Sequence, residues 1–243
     1  MPDGSLSLPA TLYLLAWETG AGPPTVFQTP EVDTAGVFPD PGRIAPLVRA
    51  GALTELAQRG LITDADGRVA PLPDAVTGDP VLDGLLELIA ESRPHTWASW
   101  VTRHARATLT AVREQLLVTG YLRRRHRRLL GLIPSRTYSL ERPDLVAGER
   151  ADAQRLLRGT EPVGEVPPRD AALVALAAAG ELRTVVTEED AEVYRERIGA
   201  LAARSGQTAP ALEKAIAEVR SATAVAVATA VVLAVTAAAG TAS

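Results

Sequence analysis

Apolar residues recur three and four apart along much of the chain, and three of these stretches close in the same way. In "LTELAQRGLI", "REQLLVTGYL" and "LVALAAAGEL" a stripe of helical period runs up to a glycine, Gly60, Gly120 and Gly180. This is how an amphipathic helix ends at a left-handed C-terminal glycine. The first two units then resume as extended arms. After Gly60, "DADGR" lies between apolar residues and predicts a hairpin turn. After Gly120, "YLRRRHRRLLGLIPSRTYSL" predicts a longer hairpin turning near Gly131 to Ser135. The third unit keeps the helix end and lacks the hairpin.

Between the first two units, Thr77 or Asp79 can cap a helix starting near Pro80 and closed by Pro94, and a second helix is expected from about Trp97 to Val118. Further helices are expected over Pro143 to Arg158, Arg169 to Ala179, Glu188 to Arg204 and from Pro210 into the C-terminal region. Gly20 to Pro46, rich in Pro, Gly and Thr, reads as a long irregular loop. The unequal spacers argue against an open repeat array. The expectation is a mainly α fold: a single compact helical domain over residues 1–243 with a projecting β-hairpin.

Composition narrows the chemistry. With 243 residues, 47% of them hydrophobic, the chain can bury a substantial core without staples. Cysteine is absent, which removes disulfides, thiolate metal sites and cysteine nucleophiles together. Lys214 is the sole lysine, and heavy use of Arg and Ala suits a GC-rich bacterial genome. No export signal is read at the N-terminus, so a cytoplasmic setting is expected. Ser221 to Ser243 carries no charge and has the length of a membrane span. Its Ala-rich, Thr-bearing composition, with no aromatic or basic flank, favours a buried core helix over a tail anchor.

Charge changes the picture most. From Arg93 to Arg142 there are eleven arginines against Glu114 and Glu141, a net +9; since the whole chain carries −4, the remainder carries −13. On a strand, Arg123, Arg125 and Arg127 face one side while Arg124, His126 and Arg128 face the other. A sandwiched strand could not bury both basic faces, so the arm must project. Its tip is apolar. Arg123, Arg124, Arg125, Arg127 and Arg128 leading to Leu129, Leu130, Leu132 and Ile133 suit the interface of an anionic membrane. Nucleic acid is the alternative partner, because a helix, a glycine turn and a basic hairpin are the parts of a winged helix. A homo-oligomer formed through the hairpin is the third expectation.

No constellation favours an enzyme. His95, His104 and His126 are the only histidines and lack metal-pair spacing. No glycine-rich phosphate loop is present, and Asp79 and Asp83 fit a helix start. No cofactor is expected.

In their order and spacing, "LSLPATLYLLAWETGAG", "LVRAGALTELAQRGLI", "VTGDPVLDGLLELI", "VREQLLVTGYL", "RRLLGLIPSRTYSL" and "RDAALVALAAAGEL" resemble the Golgi phosphoprotein 3 family over nearly the whole chain. The resemblance implies a helical domain with a β-hairpin that binds membranes peripherally and is not an enzyme, the hairpin serving insertion and self-association. In eukaryotic members a Trp and several Arg hold phosphatidylinositol 4-phosphate. By that resemblance Arg49 occupies one arginine position and Arg106 a second. The next falls on Leu109, with Arg103 or Arg113 able to take its place in another register. Phe38 is the only aromatic residue in the segment before Arg49 where the Trp would stand. A phosphate suits Arg because the guanidinium fork makes two charge-assisted hydrogen bonds. For Arg49 the competing reading is a solvated helix residue.

Overall fold

A computed structural model describes residues 6–17, 41–129, 133–206 and 216–221, and the side chains of 125–137 lie outside that description. The fold is mostly helical. In chain order the elements are α1 (Leu8–Leu15), α2 (Pro41–Gln58), β1 (Ile62–Ala65), β2 (Arg68–Pro71), α3 (Pro80–Glu91), α4 (Trp97–Thr102), α5 (Ala105–Val118), β3 (Leu122–Leu129), β4 (Ile133–Leu140), α6 (Pro143–Arg158), α7 (Pro168–Ala179), α8 (Glu188–Val193) and α9 (Arg195–Gly206). A single 3₁₀ turn, Val163–Glu165, joins α6 to α7.

Two helices organise the interior. From Ile44 to Ala57 every residue of α2 is buried, and α7 is buried over most of its length. A helix apolar all round belongs inside a helical assembly. α1, α4, α5 and α7 pack around α2, while α6 and α9 cover α7. α1 has no side-chain cap of its own; the buried Glu55 of α2 accepts a hydrogen bond from the Leu8 amide at 2.7 Å and pairs with Arg59. One carboxylate thus ties the start of α1 to the last turn of α2.

The glycine-closed units are built as the sequence implies in two cases of three. Gly60 and Gly120 take left-handed φ values of 69° and 72°. Gly180 does not: its φ is −84°, and Glu181 holds the positive φ instead. Packing explains glycine there, since a Cβ on Gly180 would lie 2.7 Å from Leu47 Cδ2. β1 and β2 form the first hairpin, with Asp66 and Gly67 both at positive φ as a two-residue type I′ turn requires. β3 and β4 pair in register from Leu122↔Leu140 to Leu129↔Ile133.

Three other expectations change. The helix expected from Trp97 to Val118 is two helices, broken where Arg103 is extended and His104 is left-handed. Buried Trp97, Trp100, Val101, Ala105, Leu109, Val112 and Leu116 keep one helical stripe across the break, so periodicity alone cannot reveal it. The helix expected from Glu188 to Arg204 breaks at Tyr194 into α8 and α9. The last residues of the expected Gly20–Pro46 loop are helical, α2 starting at Pro41, because burial of Ile44, Ala45, Leu47 and Val48 offsets the backbone bond that Pro46 cannot make inside α2. Residues 20–40 lie outside the described residues. Residues 216–221 are helical with Ile216 and Val219 buried, and the uncharged segment from 222 onward lies outside the description.

Among the described residues no helix is long and apolar enough to cross a membrane.

Candidate anion-binding site

α2 and α5 pack against each other, and the α4–α5 corner sits over the middle of α2. Arg49, from the centre of α2, has 0% of its surface exposed and ranks among the largest fully buried side chains. The solvated-helix reading of Arg49 is therefore overturned. One guanidinium nitrogen donates to the His104 carbonyl at 2.7 Å. The other two, Nε and the remaining terminal nitrogen, are buried without a hydrogen-bond partner among the described residues. Burial alone pulls the Arg49 pKa down to about 10, so the side chain is still a cation at neutral pH.

The carbonyl it meets belongs to the residue that opens α5. His104 holds φ 53° and ψ 22° and provides no side-chain cap for the helix N-terminus. The uncapped end of a helix carries roughly half a positive charge and a set of free amides. A buried cation thus sits beside the residue that opens a helix, and among the described residues one carbonyl is the only hydrogen-bond acceptor that the guanidinium meets. An unpaired buried guanidinium, like other buried ions, costs several kcal/mol. An anion at this corner would satisfy the two idle nitrogens and the amides together.

The other candidate residues divide. Arg103 and Arg106 flank the same corner, are exposed, and their side chains take no ion pair among the described residues. Leu109, where the family register places a further arginine, is buried in the core. Arg113 lies elsewhere: its guanidinium carbon is 5.6 Å from the Tyr13 ring centre and 5.4 Å from that of Tyr138, and Nε donates to the Tyr13 hydroxyl at 3.1 Å. Burial pushes the Tyr13 pKa up to about 12, which keeps that hydroxyl neutral as an acceptor.

In the hairpin, Arg123 pairs with Glu141 at 3.1 Å and Arg124 with Glu114 at 2.6 Å. Both pairs are exposed and so contribute little. Arg125, Arg127, Arg128, Leu129 and Ile133 lie on described strand backbone with side chains outside the description; Leu130 and Leu132 lie outside the described residues. Phe38 is also outside them. Reading the sequence alone missed His104, whose backbone, not its imidazole, meets Arg49. A left-handed residue inside an unbroken apolar stripe gives no sequence signal.

Among the described residues no cluster of His, Asp and Glu is placed to hold a metal ion. What the fold and this corner define is a helical, hairpin-bearing protein with a fully buried guanidinium bonded to the residue that opens a helix. The family described as Golgi phosphoprotein 3 (GPP34) matches residues 8–219, most of the chain, and the protein belongs to it. No curated protein matches the chain.

Proposed function

We propose that this protein docks peripherally on an anionic membrane and holds a phosphorylated lipid headgroup between Arg49 and the N-terminus of α5. By family resemblance the headgroup is that of phosphatidylinositol 4-phosphate. The observation that carries the reading is Arg49 itself, a fully buried guanidinium with two idle nitrogens and a third bonded to the residue that opens the uncapped α5. A phosphate monoester is the ligand that such a pairing favours, since it can accept from the fork and from backbone amides at once. Exposed Arg103 and Arg106 attract it to the corner.

Entry requires movement. Because Arg49 has no exposed surface, the His104–Ala105 peptide shifts aside and the phosphate replaces the His104 carbonyl as the acceptor. The left-handed His104 backbone lowers the cost of that shift, since a non-glycine residue there is already strained by about 1 kcal/mol. The arginines of β3 and the apolar tip supply attraction to any anionic leaflet, on the order of 1 kcal/mol per Arg near the surface.

Vesicle flotation near physiological salt tests the reading, with neutral lipid, generic anionic lipid and phosphatidylinositol 4-phosphate compared at matched surface charge. Selective flotation with the phosphoinositide, reduced at least tenfold by Arg106→Ser, is expected. Equal flotation with every anionic lipid would reduce the function to charge and the apolar tip. No flotation, together with duplex DNA binding that falls steeply with salt, would replace the lipid by nucleic acid.

A further inference from the structure

The Arg-rich hairpin has a narrow attachment. Leu122 and Leu140 are buried opposite each other at its foot, and the Glu141 amide donates to the Tyr121 carbonyl at 2.9 Å to close the ladder. Beyond them each eight-residue strand extends on the order of 25 Å. A small change of angle at the foot therefore moves the tip by many ångströms. Something must fix that angle if the arm is to present its charge in one direction.

Arg113 is placed to do so. Its guanidinium carbon lies 5.6 Å from the ring centre of Tyr13 of α1, which is fully buried, and 5.4 Å from that of Tyr138 of β4, which is half-buried. The hydrogen bond from Nε to the Tyr13 hydroxyl sets the plane of the fork. Three elements distant in sequence thus meet on one planar cation. A second stack, Arg142 over Tyr121 at 4.9 Å, braces the same foot from outside. Lying near an aromatic ring while an in-plane N–H donates to a hydroxyl suits a guanidinium and not an ammonium, which is a compact charge without a plane.

We propose that Arg113 is a positioning residue: a pin between Tyr13 and Tyr138 that fixes the direction of the β3–β4 hairpin relative to α1 and α5. Arg106 and Arg113 are seven residues apart on α5, so they share a face about 10 Å apart along the axis. The pin makes the hairpin and the Arg49 corner parts of one rigid body built on α5. A membrane-bound hairpin then presents that corner to the leaflet at a fixed distance and orientation, whichever headgroup it takes. In this role Arg113 serves the arm and does not touch the ligand.

Amide hydrogen exchange followed by mass spectrometry tests the pin without any lipid, so failure of the lipid reading would leave the result intact. Peptides from β3, β4 and α7 are compared in the full-length protein and in Arg113→Met, Arg113→Lys and Tyr138→Phe. Arg113→Met is expected to speed exchange in β3 and β4 by about 5- to 30-fold while α7 changes less than about twofold. Arg113→Lys is expected to fall between, and Tyr138→Phe, which keeps the ring, to match the unaltered protein. Unchanged exchange of the hairpin in Arg113→Met would overturn the proposal. So would equal acceleration in α7, which would mean general loss of stability in place of a local pin.

Discussion

In the first unit, α2 closes at left-handed Gly60 and leads into four-residue strands with an acidic turn; in the second, α5 closes at left-handed Gly120 and leads into eight-residue strands lined with arginine. The first hairpin is stitched back onto the body. The Val69 amide donates to the His95 carbonyl at 3.0 Å, the Arg68 side chain donates to the Pro94 carbonyl at 2.7 Å, and Arg68 bridges to Thr96. The second is held at its foot by Leu122, Leu140 and the tyrosines around Arg113. The same helix end thus serves two purposes, and the length and charge of the strands after the glycine decide which. Between the units lies the candidate site, with the buried arginine from the helix of the first and the open helix end from the second.

The largest test of this contrast concerns charge. Replacing Arg123, Arg124, Arg125, Arg127 and Arg128 together by Ser should weaken flotation with anionic vesicles by about a hundredfold or more, at ~1 kcal/mol per Arg near the leaflet. Asp64→Ser with Asp66→Ser on the first hairpin should change it by less than about twofold. Comparable effects from both hairpins would erase the distinction.

Next come the helix ends. Gly60→Ala and Gly120→Ala should each lower stability to urea by about 1 kcal/mol, because both force a Cβ into left-handed backbone with no crowding to add. Gly180→Ala acts by another cause: its backbone is ordinary, and about 1–3 kcal/mol of overpacking against Leu47 is expected. A mutation to Ala at Leu47 should relieve that loss in Gly180→Ala and leave the Gly60→Ala loss unrelieved.

The smallest effect belongs to the third unit, where a capped helix replaces the hairpin. Asp190 caps α8 with Thr187 and takes two hydrogen bonds from Arg158, at 2.9 and 2.8 Å. Those bonds hold its pKa near 2, below the ordinary 3.8. A carboxyl depressed on folding stabilises fully above its unfolded value, so this contribution should be lost as pH falls from about 4 through about 2. Urea midpoints across that window should fall less in Asp190→Asn than in the unaltered protein; parallel curves would discount the pair.

Much of this architecture is written in short-range pattern. The helix ends at Gly60 and Gly120, the "DADGR" turn and the two arms of the long hairpin arise from local chemistry and were legible as such. The α4–α5 corner was not. Its helical stripe continues through His104, and at the break a backbone carbonyl meets an arginine 55 residues away, a contact that no local pattern announces. For the same reason Arg49 could be picked out as a candidate while its burial could not. Arg106 is visible as one of many arginines, but only the fold separates it from Arg113, which is committed to two tyrosines. A solitary arginine inside an apolar helix and one stacked at a hairpin foot look alike in sequence. The Gly180 case shows the converse: the residue is the expected one and the cause is packing, not backbone conformation.

If Arg49 is kept buried for a ligand and not for the fold, Arg49→Met separates the two most directly. It is read twice on the same preparation: the urea midpoint without lipid, and flotation with phosphatidylinositol 4-phosphate vesicles. Replacing an unpaired buried ion by an apolar side chain of similar length should leave the midpoint unchanged or raise it, while selective flotation falls at least about tenfold. A midpoint that drops sharply with selectivity intact would contradict the account and make Arg49 a structural bond to His104.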